Sequence, residues 1–104
     1  MANLFWEVDA IRDLDLIGEY IAQQSPEYAP AYVERVLEAA ERLADFPLSG
    51  RVIPEFDDQA LREVIFQNYR IVYEFATDEV TILGVIHAAL DFQGIARSRS
   101  WYLT

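Results

Sequence analysis

The sequence predicts an α+β domain of order β-α-α-β-β-β, with a helical hairpin packed on an antiparallel sheet, and three observations point there. Apolar residues recur at helical spacing through two stretches of the first half, three β-branched apolar runs fill the second half, and the patterns change near Pro47. The chain has 104 residues, 53% of them apolar, with four Gly and four Pro. That is too short for two cores and too apolar for disorder, so residues 1–104 are expected to form one domain.

Residues 3–8 carry Phe5, Trp6 and Val8 in weak alternation and suit a short leading strand. Ala10, Leu14, Ile17 and Ile21 then fall on one stripe of a helix, which Asp9 is placed to cap. Ser25-Pro26 signals a second start, and Val33, Val36, Leu37, Ala40 and Leu43 form a second stripe. Because Pro30 lacks an N–H, the regular helix is expected to begin near Ala29. Two stripes joined by a short loop make an antiparallel hairpin.

Phe46-Pro47-Leu48-Ser49-Gly50 stops the second helix. Strands are expected over Ala60–Phe66, Tyr69–Phe75 and Val80–Ile86, separated by Gln67-Asn68 and by Ala76 to Glu79, lengths that suit hairpins. The last strand is almost wholly apolar and therefore needs cover on both faces. One face meets the hairpin; the other is covered either by a short helix within Gly94–Tyr102, bringing Ile95 and Trp101-Tyr102, or by a partner. An apolar sheet face left open would be a binding site.

Composition excludes several functions. Zero Cys removes disulfides, thiolate metal sites and cysteine nucleophiles, and makes the cytosol the default compartment. No run approaches the length of a membrane helix, and the N-terminus lacks the basic start and apolar core of a secretory signal. The net charge is −10, and all eight basic residues are Arg, so direct nucleic-acid binding by the whole surface is not expected. Residues 1–46 hold ten acids and three Arg, against eight acids and five Arg in 47–104. An anion-facing site would belong to the second half.

His87 is the only imidazole, with Asp91 four residues on. One His among scattered carboxylates is a weak metal site, and no serine sits in a recognisable nucleophile context, so His87 reads as a structural or partner-contacting residue. Glu55, Asp57 and Asp58 read as a solvated loop, lacking the ligand order of a calcium site. No metal, cofactor or catalytic residue is expected. Arg51, Arg62 and Arg70 are placed to meet at one edge of the sheet, where they would bind a partner's carboxylates or pair internally with Glu55, Glu63 or Glu74. Tyr20, Tyr28 and Tyr32 read as packing residues of the hairpin with exposed hydroxyls.

The order of these signals carries a resemblance. Leu14-x-x-Ile17-x-x-Tyr20-Ile21-Ala22, Ser25-Pro26, Leu43-x-x-Phe46-Pro47-x-x-Gly50-Arg51-x-x-Pro54-Glu55, Arg62, Tyr69-Arg70-Ile71-Val72-Tyr73 and Val85-Ile86-His87 together resemble the ParE/RelE toxin superfamily of type II toxin–antitoxin, or plasmid stabilisation, modules. The match runs from about Ala10 to Asp91. The resemblance implies this same fold and a cognate antitoxin encoded beside the gene. It divides members into RelE-like ribosome-dependent mRNA endoribonucleases and ParE-like binders of DNA gyrase. RelE-like cleavers place basic residues on the first long strand and after the last one; here Arg62 is followed by Val64-Ile65, and His87 by Ala88-Ala89-Leu90. The ParE-like reading is therefore preferred, with partner contacts assigned to Arg51, Arg62, Arg70, Tyr73, His87 and Asp91. A RelE-like nuclease and a detoxified relative that keeps only antitoxin binding or self-association remain as alternatives.

Overall fold

The computed structural model describes residues 1–101. Its elements are β1 (Asn3–Trp6), α1 (Val8–Gln24), α2 (Ala29–Asp45), β2 (Arg51–Val52), β3 (Leu61–Phe66), β4 (Tyr69–Ala76), β5 (Glu79–His87) and α3 (Phe92–Ser98). The five strands form one sheet in the order β1-β5-β4-β3-β2. From β5 to β2 every pairing is antiparallel, while β1 joins the edge parallel to β5, with Phe5 opposite Thr81. The sheet is thus mixed, because the helical hairpin carries the chain from β1 back to the far end before the strand run begins.

Helix starts obey backbone chemistry more closely than side-chain signals. Asp9 was expected to cap α1, yet the cap is Glu7, which makes no side-chain cap bond, and Asp9 lies in the first turn, where its charge suits the helix N-terminus. Helix α2 begins at Ala29 with Pro30 in its first turn, so the missing N–H costs no helical bond.

Two apolar layers sandwich the sheet. On one face Leu14 and Ile17 of α1 and Val36, Ala40 and Leu43 of α2 pack on Ile71, Tyr73, Ile82 and Val85. Strand β5 carries one residue more than β4 between the Val72–Gly84 and Tyr73–Ile82 pairs. This bulge lets Ile82 and Val85 share a face although they are three apart. On the other face Ile53, Leu61, Val72, Ile86 and Phe92 form a second cluster, with Phe56, Leu83, Ile95 and Trp101 packed around it. Of the two covers left open by the sequence, a C-terminal helix or a partner, the chain supplies its own: the 53–56 loop, α3 and Trp101 lie over this face. Tyr102 lies outside the described residues.

Gly84 makes this closure possible, since a Cβ there would stand 2.7 Å from the Trp101 ring. Arg99 completes the attachment. Its Nη1 and Nη2 each donate to the Asp13 carboxylate at 2.8 Å, and Asp13 Oδ2 also accepts the Val85 N–H at 3.0 Å. One buried carboxylate thereby ties α1, β5 and the segment after α3 together.

Candidate partner-binding surface

The register of β2, β3 and β4 explains where the arginines go. Arg51 stands directly opposite Glu63, and Arg70 stands opposite Ile65, one diagonal step from Glu63 on the same face. Glu63 is buried, with its side chain 0% exposed, and accepts from Arg51 Nε at 2.7 Å and from Arg70 Nε at 2.5 Å. The outer edge of Arg70 grips Glu55 through Nη1 at 3.0 Å and Nη2 at 2.7 Å, and its guanidinium lies 3.6 Å from the Phe92 ring centroid. Hydrogen bonding from Arg70 holds the Glu55 carboxyl below its ordinary value, and the bond to Glu55 raises Arg70 in turn.

Arg62 and Tyr73 serve the α2–β2 turn. Arg62 Nη1 donates to the Gly50 carbonyl at 3.0 Å and Nε to that of Gln59 at 3.1 Å. The Tyr73 hydroxyl donates to the Pro47 carbonyl at 2.7 Å and accepts the Gly50 N–H at 3.0 Å. Gly50 is needed there because a Cβ would meet that hydroxyl at 2.5 Å. Tyr73 is fully buried, and burial pushes its phenol up from the ordinary range.

His87 and Asp91 end the strand run with separate tasks. His87 Nδ1 accepts the Ala89 N–H at 3.0 Å, and its half-buried ring stands edge-on to Tyr69 at 5.1 Å. Asp91 caps α3 by accepting the Gly94 N–H at 3.1 Å. Of the six residues singled out from the sequence, Arg51 and Arg70 meet on Glu63, Arg62 and Tyr73 hold the turn before β2, and His87 and Asp91 follow Ile86, the β5 residue that pairs with Arg70. Arg51 keeps 60% of its side chain exposed.

A groove of about 400 Å³ opens beside His87, walled by Leu16 and Tyr20 of α1 and by Leu90 and Ile95, with Val85 and the Asp13–Arg99 pair at its floor. An adjoining hollow of about 350 Å³ reaches Tyr28, Tyr32 and Asn68. Asp13, Arg99 and this groove were missed from the sequence. Asp13 did carry a signal: it stands three residues after Ala10 and four before Ile17, on the apolar stripe itself. Among the described residues no three His, Asp or Glu side chains gather to hold a metal ion, and no helix is long and apolar enough to cross a membrane.

This fold, with a helical hairpin on a β-sheet and a short helix after the last strand, is the architecture of small bacterial toxins of the ParE/RelE kind. Residues 4–92 match the family model described as ParE toxin of type II toxin–antitoxin system, parDE. Toxin RelE2 of Caulobacter vibrioides is 38% identical over 90 residues, covering 86% of this chain and 98% of that protein. A Sinorhizobium fredii protein bearing the toxin name Y4kP is 38% identical over 85 residues, covering 80% of this chain and 84% of its own. The solved chromosomal ParDE TA system from P. aeruginosa superposes with a TM-score of 0.72 at 22% identity, covering 84% of this chain and 96% of that one, a likeness of fold. The chain belongs to the ParE toxin family of type II toxin–antitoxin systems.

Proposed function

We propose that this toxin acts by binding a protein target of the gyrase type, in the ParE manner, and is neutralised by a cognate antitoxin. One observation carries the choice between binding and RNA cleavage: Arg51, Arg70 and Arg99 are each paired with a carboxylate of the fold, Arg62 bonds the Gly50 carbonyl, and the chain leaves β5 through Ala88-Ala89-Leu90. Cleaving RNA would require free cations to meet charge developing on phosphorus, together with a group to move protons. Internal carboxylates already neutralise three of these arginines. The antitoxin reading is supported by the family description and by the ParDE relative. Of the six residues assigned to a partner from the sequence, Arg51 and Asp91 are exposed and His87 is half-buried beside the groove, and these three are the contacts we assign.

The test is expression of the chain alone and with its neighbouring gene product, following growth, DNA supercoiling and mRNA integrity. Growth arrest with altered supercoiling and intact mRNA, relieved by the neighbour, is the expected result. Cleaved mRNA would replace this mechanism with the RelE-like one, and unaffected growth would mark a detoxified relative.

A further inference from the structure

The two edges of the sheet meet water differently. At one end β2 has two residues and carries Arg51, the short, charged kind of edge that resists pairing with another chain. At the other end β1 pairs only with β5, through bonds such as Asn3 N–H to the Asp78 carbonyl at 3.2 Å and Glu7 N–H to that of Ile82 at 2.9 Å. Residues that bond a neighbouring strand alternate with residues that bond away from it, so Leu4 and Trp6 turn their N–H and C=O groups to the open side. Four backbone groups thus face outward, and among the described residues no strand pairs with them. The side chains agree. Leu4, Phe5 and Trp6 form an uncharged run; Leu4 and Trp6 pack half-buried against the helical layer, and Phe5, on the other face, is 48% exposed. Such a run leaves an edge unprotected against strand pairing.

This edge is complementary to itself. Set antiparallel across a two-fold axis at Phe5, Leu4 of one copy faces Trp6 of the other and exchanges two N–H···O bonds with it, and the symmetric Trp6–Leu4 pair repeats them. All four outward groups are then satisfied. Between these pairs Phe5 meets Phe5 of the second copy as a non-bonded pair with a Cα separation of about 4.5 Å, where aromatic side chains attract. One step further out Asn3 stands opposite Glu7, so the acid meets an amide and not a second carboxylate. Sliding the strands by two residues sets Leu4 or Trp6 against itself and keeps only one bonded pair, which fixes the register.

We propose that β1 is a self-pairing edge, through which two copies of this chain join their sheets into one, a contact separate from the groove and independent of the antitoxin reading. Sedimentation of the full chain alone, from micromolar to millimolar concentration, tests it. A concentration-dependent dimer is expected, and because each copy carries a net charge of −10 it should tighten as salt rises. Phe5→Lys should abolish it by setting two cations on the axis. Asn3→Lys should tighten the dimer by about fivefold and Asn3→Glu should loosen it by a similar factor, since each dimer holds two Asn3–Glu7 pairs. The chain has no Cys, so Phe5→Cys should give a cross-linked dimer on oxidation, at a spacing a disulfide spans, while Leu48→Cys on the α2–β2 turn should lag far behind. Asn3, Phe5 and Leu48 are exposed, and circular dichroism checks that each variant folds. A chain that stays monomeric at millimolar concentration, or a dimer indifferent to Phe5→Lys and to both Asn3 variants, overturns the proposal. A monomeric chain whose binding of the neighbouring gene product is weakened by Phe5→Lys would assign the edge to that protein and overturn it as well. Each of these outcomes leaves the antitoxin reading standing.

Discussion

Asp13 shows how much one side chain can hold. Its carboxylate is 10% exposed and takes three hydrogen bonds, from both terminal nitrogens of Arg99 and from Val85 N–H. Asp13→Ala should cost about 3–5 kcal/mol in urea unfolding, since it strands a partly buried guanidinium and an amide together. Asp13→Asn keeps an oxygen for Val85 and should cost less, and equal losses would show that the backbone bond contributes nothing. Glu63 is the parallel case on β3, where two arginines meet one buried acid. The pairing of Arg51 and Arg70 with Glu63 was open to sequence reasoning as one of two choices, because opposite charges on adjacent strands attract. Burial decided between them, and burial depends on the 53–56 loop folding over the sheet, which no local pattern encodes.

Both β-hairpins turn on two residues, and their backbones are informative. Thr77 and Asp78 between β4 and β5 have φ of 50° and 63°, and Gln67 between β3 and β4 has φ of 50°. Positive φ at both central positions is the turn that matches strand twist, and it favours Asn-Gly over a β-branched Thr. Replacing Thr77-Asp78 by Asn-Gly should therefore raise stability by about 1 kcal/mol. A lower urea midpoint would mean that the native side chains make compensating contacts. Periodicity made α1, α2 and the three long strands legible, because each spans several repeats of its own pattern. The two-residue β2 carries no periodicity to detect, and the parallel seat of β1 is set by where the helical hairpin returns the chain. The groove was illegible for a related reason: Leu16 and Tyr20 stand just off the buried stripe of α1, and their neighbours come from β5 and α3.

For the whole molecule, the ionic network ties stability to pH. Hydrogen bonding from Arg70 sets the folded-state value of Glu55 below its ordinary 4.5. The stabilisation from this pair is therefore complete above about 4.5 and is lost as pH falls through the lower folded value, because the unfolded chain takes up its proton first. Urea midpoints measured from neutral pH downward should fall in that acidic window, and Glu55→Gln should make the decline shallower. An unchanged slope would show that the pair adds nothing to the folded state. The Asp13–Arg99 pair spans 86 positions of sequence. During synthesis, the first helix emerges with an acid whose counter-ion lies 86 positions further on. A nascent chain stalled before that arginine would hold a nearly buried negative charge without its partner, so docking of the first helix is complete only once the segment after α3 has been made.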